Sequence, residues 1–265
     1  MTKGRSRCVV TELDGRRIEY EEIPGDASQP PLVFLHEGLG SVRLWQGFPA
    51  RVAASTGRRA LVYSRFGHGD SDPPPAPRTP AFMHEEAREV LPRLLSAWGA
   101  ERPVLIGHSD GASIALIHAA DHRVTAIVCI APHVFVEAKS IAEIRRARTL
   151  YEQGGRRERM AAHHRDVDAA FYGWNDVWLD PRFEAWNIEE LLSAVEVPVL
   201  LIQGDDDPYG TLAQIDSVMS RVRGPIERIV LSCRHAPHVQ APEETLTAVT
   251  RFVAAYGCRT RAPVR

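Results

Sequence analysis

Short apolar runs alternate with helical patterns along most of this chain, and this alternation limits the possible folds more than any other feature. Several runs are apolar at every position, which is typical of strands buried on both faces. The runs lie at 8–13, 16–20, 32–35, 60–63, 104–106, 124–130, 199–202 and 228–231, and helical patterns lie near 45–56, 81–98, 111–121, 211–222 and 242–256. This order predicts an α/β fold with a mostly parallel, eight-stranded sheet flanked by helices. Asp14-Gly15, between the first two runs, is typical of a two-residue hairpin.

Residues 132–196 interrupt the alternation and contain no convincing strand. Their helical patterns lie near 141–151, 156–172 and 183–192. We therefore predict a core formed by residues 1–131 and 197–265, with 132–196 inserted as a helical cap. Most aromatic side chains of this segment would form its own small core, but a cap over a binding site also needs an apolar underside. The candidates for contact with a substrate are Phe135, Trp174, Trp178 and Trp186.

The stretch 107–111 reads G-x-S-x-G and lies between a strand-like run and a helical pattern. A strand that turns abruptly into a helix places the serine at the apex of the turn, and the glycines leave room because they have no Cβ. In this context Ser109 is the candidate nucleophile. The backbone N–H of the next residue, Asp110, is a candidate donor to the oxyanion of a tetrahedral intermediate.

A serine nucleophile needs a base to take its proton, and the resulting imidazolium needs an anionic partner. In a parallel sheet, residues that contact ligands lie in the loops after the carboxyl ends of strands. Such loops contain Asp205, Asp206 and Asp207 after the run at 199–202, and His235 and His238 after the run at 228–231. The order serine, acid, histidine is the one expected with this type of turn. The residues alone leave the choice within each loop open.

Over about residues 8–256 the chain resembles the α/β-hydrolase family, in its capped, single-domain branch. The resemblance rests on the stretch 107–111, the acid loop 204–207, the segment 233–238 before Pro242-Glu243, and the loops 36–41 and 65–71. It implies that Asp207 is the acid, because the family's acid usually stands three residues after a strand-end glycine. It also implies that His235 rather than His238 is the base, although Arg234 stands where the family commonly has glycine.

The same resemblance implies that the second oxyanion donor is the N–H of Gly38, with Leu39 as the alternative. Leu39 is also a candidate for contact with the substrate. Glu37 departs from the His-Gly pair that is more frequent in the family. Its carboxylate either braces the loop or faces the pocket, where together with Asp110 it would repel anionic substrates. We expect His36 to brace the loop.

Composition excludes several classes of partner. A net charge of −2 gives no electrostatic reason to bind nucleic acid or an anionic membrane. The sequence contains no signal-peptide pattern, no run long enough to span a bilayer and no metal-type cysteine spacing, so we expect a cytoplasmic monomer or homodimer. His163 and His164 would point about 100° apart on a helix, which favours a solvated helix over a metal site. The sequence contains no glycine-rich phosphate-binding loop and no dinucleotide-binding motif, so it implies no organic cofactor.

These features predict a serine hydrolase that cleaves a small carboxylic ester, with Ser109, His235 and Asp207 as its triad. The expected partner is a small, partly apolar and neutral substrate. Hydrolysis of a thioester, a lactone or a C–C bond of a ring-cleavage product stays open, because the fold does not choose among them. Substrates with such C–C bonds are typically anionic and call for an Arg or Lys in the pocket, which the sequence does not assign. A ligand-binding receptor with little turnover is the alternative of another class.

Overall fold

One eight-stranded sheet organises residues 7–257, which are the residues that this computed structural model describes. The strands are β1 (Arg7–Leu13), β2 (Arg16–Ile23), β3 (Leu32–Leu35), β4 (Ala60–Tyr63), β5 (Val104–His108), β6 (Ala126–Ile130), β7 (Val199–Gly204) and β8 (Ile226–Leu231). Their spatial order is β1-β2-β4-β3-β5-β6-β7-β8. The predicted α/β fold is therefore confirmed. The ends of the predicted core, residues 1–6 and 258–265, lie outside the described residues.

The sheet is parallel from β4 to β8, and only the β1–β2 and β2–β4 pairings are antiparallel. The β1–β2 hairpin turns at Asp14 and Gly15, whose φ angles are 53° and 71°. Positive φ at both central residues matches the right-handed twist of a strand pair, as the Asp-Gly sequence predicts.

The continuous apolar runs follow from burial on both faces of the sheet. Every residue of β3 to β7 is buried. Successive side chains of a strand point to opposite faces, and in β3 Val33 and Leu35 join one hydrophobic cluster while Leu32 and Phe34 join the other. Helices cover both clusters, which leaves the carboxyl ends of the parallel strands as the edge where polar side chains can gather.

Ten α-helices accompany the sheet within residues 7–257. They are α1 (Phe48–Thr56), α2 (Phe82–Glu85), α3 (Leu91–Ala97), α4 (Asp110–Asp121), α5 (Ala138–Glu152), α6 (Arg156–Ala161), α7 (Val167–Trp178), α8 (Ala213–Arg221), α9 (Pro237–Gln240) and α10 (Pro242–Tyr256). A π-helical turn at Glu86–Val90 joins α2 to α3, so the predicted helix near 81–98 is present. None of the described helices is long and apolar enough to cross a lipid bilayer.

The segment between β6 and β7 holds α5, α6 and α7 and adds no strand to the sheet at any of its residues, all of which are described. We call residues 131–198 the β6–β7 insertion. The prediction of a single helix at 156–172 is wrong, because α6 ends at Ala161 and α7 begins at Val167. Asp166 caps α7 by accepting a hydrogen bond from the Ala169 N–H. The helix predicted at 183–192 is replaced by two 3₁₀ turns, Pro181–Phe183 and Glu189–Ala194. Asp180 caps the first of them.

Candidate active site

Ser109 lies at a sharp turn between β5 and α4. Its φ of 52° and ψ of −120° are a strained conformation for a residue with a side chain. A Cβ on Gly107 would overlap the backbone of Gly111 and Ala112, and a Cβ on Gly111 would overlap the Leu35 carbonyl. Both positions therefore require glycine, and the strand, turn and helix expected from the G-x-S-x-G sequence are present.

Only one carboxylate of the loop after β7 meets a histidine of the loop after β8. His235 Nδ1 lies 2.8 Å from Asp207 Oδ2 and 2.9 Å from Asp207 Oδ1. Asp205 and Asp206 are exposed, and Asp205 accepts a hydrogen bond from a surface serine. His238 is buried elsewhere, with its ring centroid 5.0 Å from that of Trp45. The structure therefore brings together the pair that the family resemblance implies.

Asp207 is held as a carboxylate in a buried position. Its Oδ2 accepts a hydrogen bond from Gln203 Nε2 at 2.6 Å, and its Oδ1 accepts one from the Tyr209 N–H at 2.8 Å. Burial alone would raise the pKa of Asp207, but the hydrogen bond and charge of His235 outweigh it, so that the pKa of this carboxyl lies below its ordinary value. A carboxylate that stays ionised fixes a proton on Nδ1 of His235 and leaves Nε2 as the basic nitrogen.

A cavity of about 210 Å³ lies beside Ser109 at the carboxyl edge of the sheet. Its walls include Glu37, Gly38, Leu39, His108, Ser109, Asp110, His133, Ile144, Arg156, Trp174, Trp178, Tyr209, His235 and Ala236. Ser109 and His235 share this wall, although no hydrogen bond joins their side chains among the described residues. Of the predicted substrate contacts, Leu39, Trp174 and Trp178 line the cavity.

Phe135 and Trp186, which were also predicted to contact a substrate, do not line this cavity. Trp186 stacks on Phe183 with ring centroids 5.4 Å apart and belongs to the insertion's own core. Phe135 forms an isolated bridge with Asn187, and its N–H and carbonyl bond the Gln214 side chain. These two aromatic residues therefore serve packing, which sequence alone could not separate from pocket lining.

Three backbone amides face no protein acceptor beside Ser109. Among the described residues, the N–H groups of Gly38, Leu39 and Asp110 make no hydrogen bond. These are the donors that the sequence and the family resemblance suggested for an oxyanion. Gly38 also lies directly against the Trp174 indole, and this close approach explains why position 38 holds a glycine.

Two acidic side chains line the cavity, and their pKa values are shifted in opposite directions. Glu37 Oε2 lies 3.4 Å from His108 Nδ1, and although burial acts to raise the pKa of Glu37, the neighbouring His108 ring lowers it overall. Glu37 therefore both pairs with a neighbour and faces the pocket. Asp110 is almost fully buried, and its Oδ2 has no hydrogen-bond partner among the described residues. Burial is the main reason that the pKa of Asp110 is raised.

Comparison with known proteins decides the family. A sequence profile of the Alpha/beta hydrolase family matches residues 32–248. The chain belongs to this family. The sn-1-specific diacylglycerol lipase ABHD11 of Mus musculus is 34% identical over 100 residues, which cover 38% of this chain and 31% of the lipase. Proline iminopeptidase of Lactobacillus delbrueckii subsp. lactis is 30% identical over 105 residues, 39% of this chain and 36% of the peptidase. The matches thus span about a third of the length of these curated relatives.

Solved structures of similar fold extend over nearly the whole chain. The enol-lactonase from Burkholderia xenovorans LB400 superposes with a TM-score of 0.75 and 18% identity, over 93% of this chain and all of that enzyme. At this level of identity the likeness concerns the fold.

Sequence reasoning missed several residues that line the cavity of this α/β hydrolase. His133 follows β6, so the rule that places ligand contacts after strand ends could have found it. Its ring is nearly fully buried, and burial lowers its pKa to about 3. Tyr209 stands two residues after Asp207, with its ring centroid 4.7 Å from that of His235. Arg156, at the start of α6, carries no signal in the sequence that sets it apart from the many other arginines.

The adjacent histidines 163 and 164 lie in the loop between α6 and α7, not on the solvated helix that their sequence predicted. His164 is buried, and both its ring nitrogens bond backbone groups. Within residues 7–257, no group of three His, Cys, Asp or Glu side chains is arranged to hold a metal ion.

Proposed function

We propose that this α/β hydrolase is a serine hydrolase that cleaves small carboxylic esters through an acyl-enzyme. The observation that carries the proposal is the hydrogen bond from His235 Nδ1 to Asp207, made beside a cavity that Ser109 also lines. A histidine held in this way presents Nε2 as a base, and a serine on a strained turn presents its hydroxyl above the sheet.

In the proposed acylation step, the Ser109 oxygen attacks the ester carbonyl carbon while His235 Nε2 takes the hydroxyl proton. The carbonyl electron pair moves to oxygen, and the unpaired N–H groups of Asp110 and Gly38 stabilise the oxyanion. The tetrahedral intermediate then expels the alkoxide, which receives the proton from His235. Asp207 keeps the imidazole oriented and stabilises its positive charge throughout.

In the proposed deacylation step, His235 removes a proton from water, and the resulting hydroxide attacks the acyl carbon. The intermediate expels the Ser109 oxygen, which regains the proton from His235, and the carboxylic acid leaves. The two steps return every group of the site to its starting protonation state. Helices of the β6–β7 insertion would act as a cap during this cycle, since Trp174 and Trp178 from α7 form part of the cavity wall.

The cavity favours a small substrate. At about 210 Å³ it falls below the range of roughly 300–1,000 Å³ that is usual for drug-sized ligands. Aromatic walls from Trp174, Trp178 and Tyr209 suit an apolar acyl or alcohol group. The Glu37 carboxylate disfavours an anion close to Ser109.

Arg156 supports a second candidate, hydrolysis of a C–C bond in an anionic substrate. Its side chain lines the cavity beside Tyr209 and forms no ion pair with the described residues. A guanidinium in this position could bind a substrate carboxylate, which is the group that such C–C substrates present. The Glu37 carboxylate, which lines the same cavity, makes this candidate secondary to the ester.

A panel of substrates tests the proposal. It should contain p-nitrophenyl esters of two to eight acyl carbons, a thioester, a lactone, a vinylogous diketone and a prolyl anilide, because one curated relative is named a lipase and another an iminopeptidase. We expect the short esters to have the highest kcat/KM. A fluorophosphonate should label Ser109, as read by peptide mass spectrometry, and Ser109→Ala should lose both labelling and activity while keeping its circular dichroism spectrum. Full activity in that variant would show that Ser109 is not the nucleophile. No turnover of any panel member would favour a ligand-binding receptor.

A further inference from the structure

The turn at residues 37–40 carries two of the free amides beside Ser109, and buried side chains bind the carbonyls of residues 36–39. Arg65 donates hydrogen bonds to the carbonyls of His36 and Glu37. His36 Nδ1 also donates to the Glu37 carbonyl. His68 Nε2 donates to the Gly38 carbonyl, and His164 Nε2 donates to the Leu39 carbonyl. The Gly40 N–H closes the turn on the Glu37 carbonyl at 3.0 Å. All four donor side chains are at least nine-tenths buried.

These bonds fix where the amides of the turn point. In a planar trans peptide, the C=O of one residue and the N–H of the next point in opposite directions. Holding the Glu37 and Gly38 carbonyls against the protein interior therefore turns the N–H groups of Gly38 and Leu39 the other way. Both of these residues line the cavity beside Ser109. Rotation of either peptide would break a buried hydrogen bond and leave a buried polar group unpaired, which is unfavourable.

The three histidines around the turn are fixed as neutral tautomers by their neighbours. His36 Nε2 accepts from the Arg65 N–H, His68 Nδ1 accepts from Arg78, and His164 Nδ1 accepts from the Gly69 N–H at 3.1 Å. Each ring thus has one nitrogen that must donate and one that must accept. Burial lowers the pKa of all three rings, which agrees with the neutral state.

His164 differs from the other donors because it belongs to the β6–β7 insertion. Its Nε2 lies 3.1 Å from the Leu39 carbonyl oxygen. The next residue, Arg165, donates its N–H to the Gly69 carbonyl at 2.8 Å and its guanidinium to Asp72 at 2.9 Å. The insertion is therefore pinned to the loop after β4 at the same place where it holds the turn.

We propose that His164 is a positioning residue that couples docking of the β6–β7 insertion to the orientation of the oxyanion-binding amides. With His164 in place, the Leu39 carbonyl is held, the Gly40 N–H stays on Glu37, and the Gly38 and Leu39 amides face the cavity. When the insertion moves away, the Leu39 carbonyl loses its donor and the turn relaxes. The role in catalysis rests on the proposed function, whereas the effect on the turn does not.

A matched pair of neighbouring substitutions tests this coupling. His164→Ala removes the donor, and His163→Ala changes the adjacent ring, which makes no hydrogen bond to the turn. With a short p-nitrophenyl ester, we expect kcat to fall about 10- to 100-fold in His164→Ala, below the loss of about 10²–10³ for a donor removed outright, with KM changed less than about twofold. Affinity for a trifluoromethyl ketone, whose adduct carries an oxyanion, should fall by the same factor. His163→Ala should resemble the wild type in both measurements.

His164→Gln distinguishes the loss of a hydrogen bond from a packing defect. Its amide oxygen can accept from Gly69 and its NH₂ can donate to Leu39, so we expect partial recovery of kcat. Amide hydrogen exchange at Gly40, read by NMR, should accelerate about tenfold or more in His164→Ala and not in His163→Ala. This measurement needs no substrate, so it tests the coupling by His164 separately from the proposed esterase activity. Absence of ester hydrolysis in the wild type would overturn the proposed function, whereas unchanged Gly40 exchange in His164→Ala, or unchanged kcat in an active enzyme, would overturn the coupling.

Discussion

Gly38 offers the sharpest test of how the turn and the insertion fit together. A Cβ at position 38 would lie well under 3.0 Å from Nε1 and Cδ1 of Trp174 and at 3.0 Å from Asp110 Oδ2, whereas ordinary contact begins at 3.4 Å. In Gly38→Ala, the indole or the turn must therefore move by about 1 Å. Overpacking of this kind costs about 1–3 kcal/mol. The same movement would displace a proposed oxyanion donor, so we expect kcat to fall about 10²-fold.

A double-mutant cycle isolates the clash. Trp174→Ala removes the indole at a cost of about 3 kcal/mol, the lower end of the range for a buried tryptophan, because Trp174 packs against Phe171 and also lines the cavity. In that background the two shortest contacts of the new methyl group of Gly38→Ala are gone, and the next shortest is the 3.0 Å contact with Asp110 Oδ2. We therefore expect Gly38→Ala to cost less than about 0.5 kcal/mol there, which is a coupling of roughly 1–3 kcal/mol between the two positions.

Urea unfolding of the four proteins, with midpoints and m-values from tryptophan fluorescence and circular dichroism, measures this coupling. Kinetics with one short ester would show whether kcat recovers in the double variant relative to Gly38→Ala. Additive stability changes, with less than about 0.5 kcal/mol of coupling, would refute the argument that the indole is what requires glycine at this position.

Three further results follow from the loops at the carboxyl edge. His235→Ala should lower kcat by at least about 10³-fold, and His238→Ala should lower it far less. Asp207→Asn should lower kcat about 10³- to 10⁴-fold, because an amide no longer holds the proton on Nδ1. Burial lowers the pKa of His238 to about 3, so its neutral form stabilises the fold fully above pH 6.5 and this stability is lost as pH falls toward 3. His238→Leu should therefore flatten the loss of unfolding free energy between pH 6.5 and 5 by up to about 1.4 kcal/mol per pH unit.

A specific outcome would contradict each of these three predictions. A larger kcat loss in His238→Ala than in His235→Ala would move the base to the other histidine. Near wild-type kcat in Asp207→Asn would remove the carboxylate from the mechanism. An unchanged pH slope of urea stability in His238→Leu would show that this ring titrates alike in the folded and unfolded chain.

Much of the fold could be predicted from the sequence because local patterns determine it. The apolar runs are strands since they are buried on both faces, and the Asp14-Gly15 turn follows from backbone sterics alone. The sharp turn at Ser109 could be predicted because it requires glycine at positions 107 and 111, and the sequence has glycine at both. The loops after β7 and β8 could be predicted to carry the acid and the base, because the carboxyl ends of parallel strands lie at one edge of the sheet. Within each loop, the family resemblance chose Asp207 and His235.

The rest depended on contacts between distant parts of the chain. His164 reaches the Leu39 carbonyl across 125 positions, and no local pattern shows this. Arg156 and Ile144 enter the cavity through the packing of the insertion, which sequence periodicity does not fix. The same holds for Trp186, whose aromatic character suits a pocket wall as well as a core.

The insertion leaves β6 and returns to β7, which are direct neighbours in the sheet. Segments of this kind can be exchanged or lengthened without altering any strand pairing, so substrate range can diverge in evolution while the sheet stays the same. His164 makes such exchange conditional. A transplanted insertion that lacks a donor for the Leu39 carbonyl would bring its own substrate preference together with a slower turnover. Chimeras made to change specificity would therefore need to carry this histidine, or an equivalent donor, along with the new pocket wall.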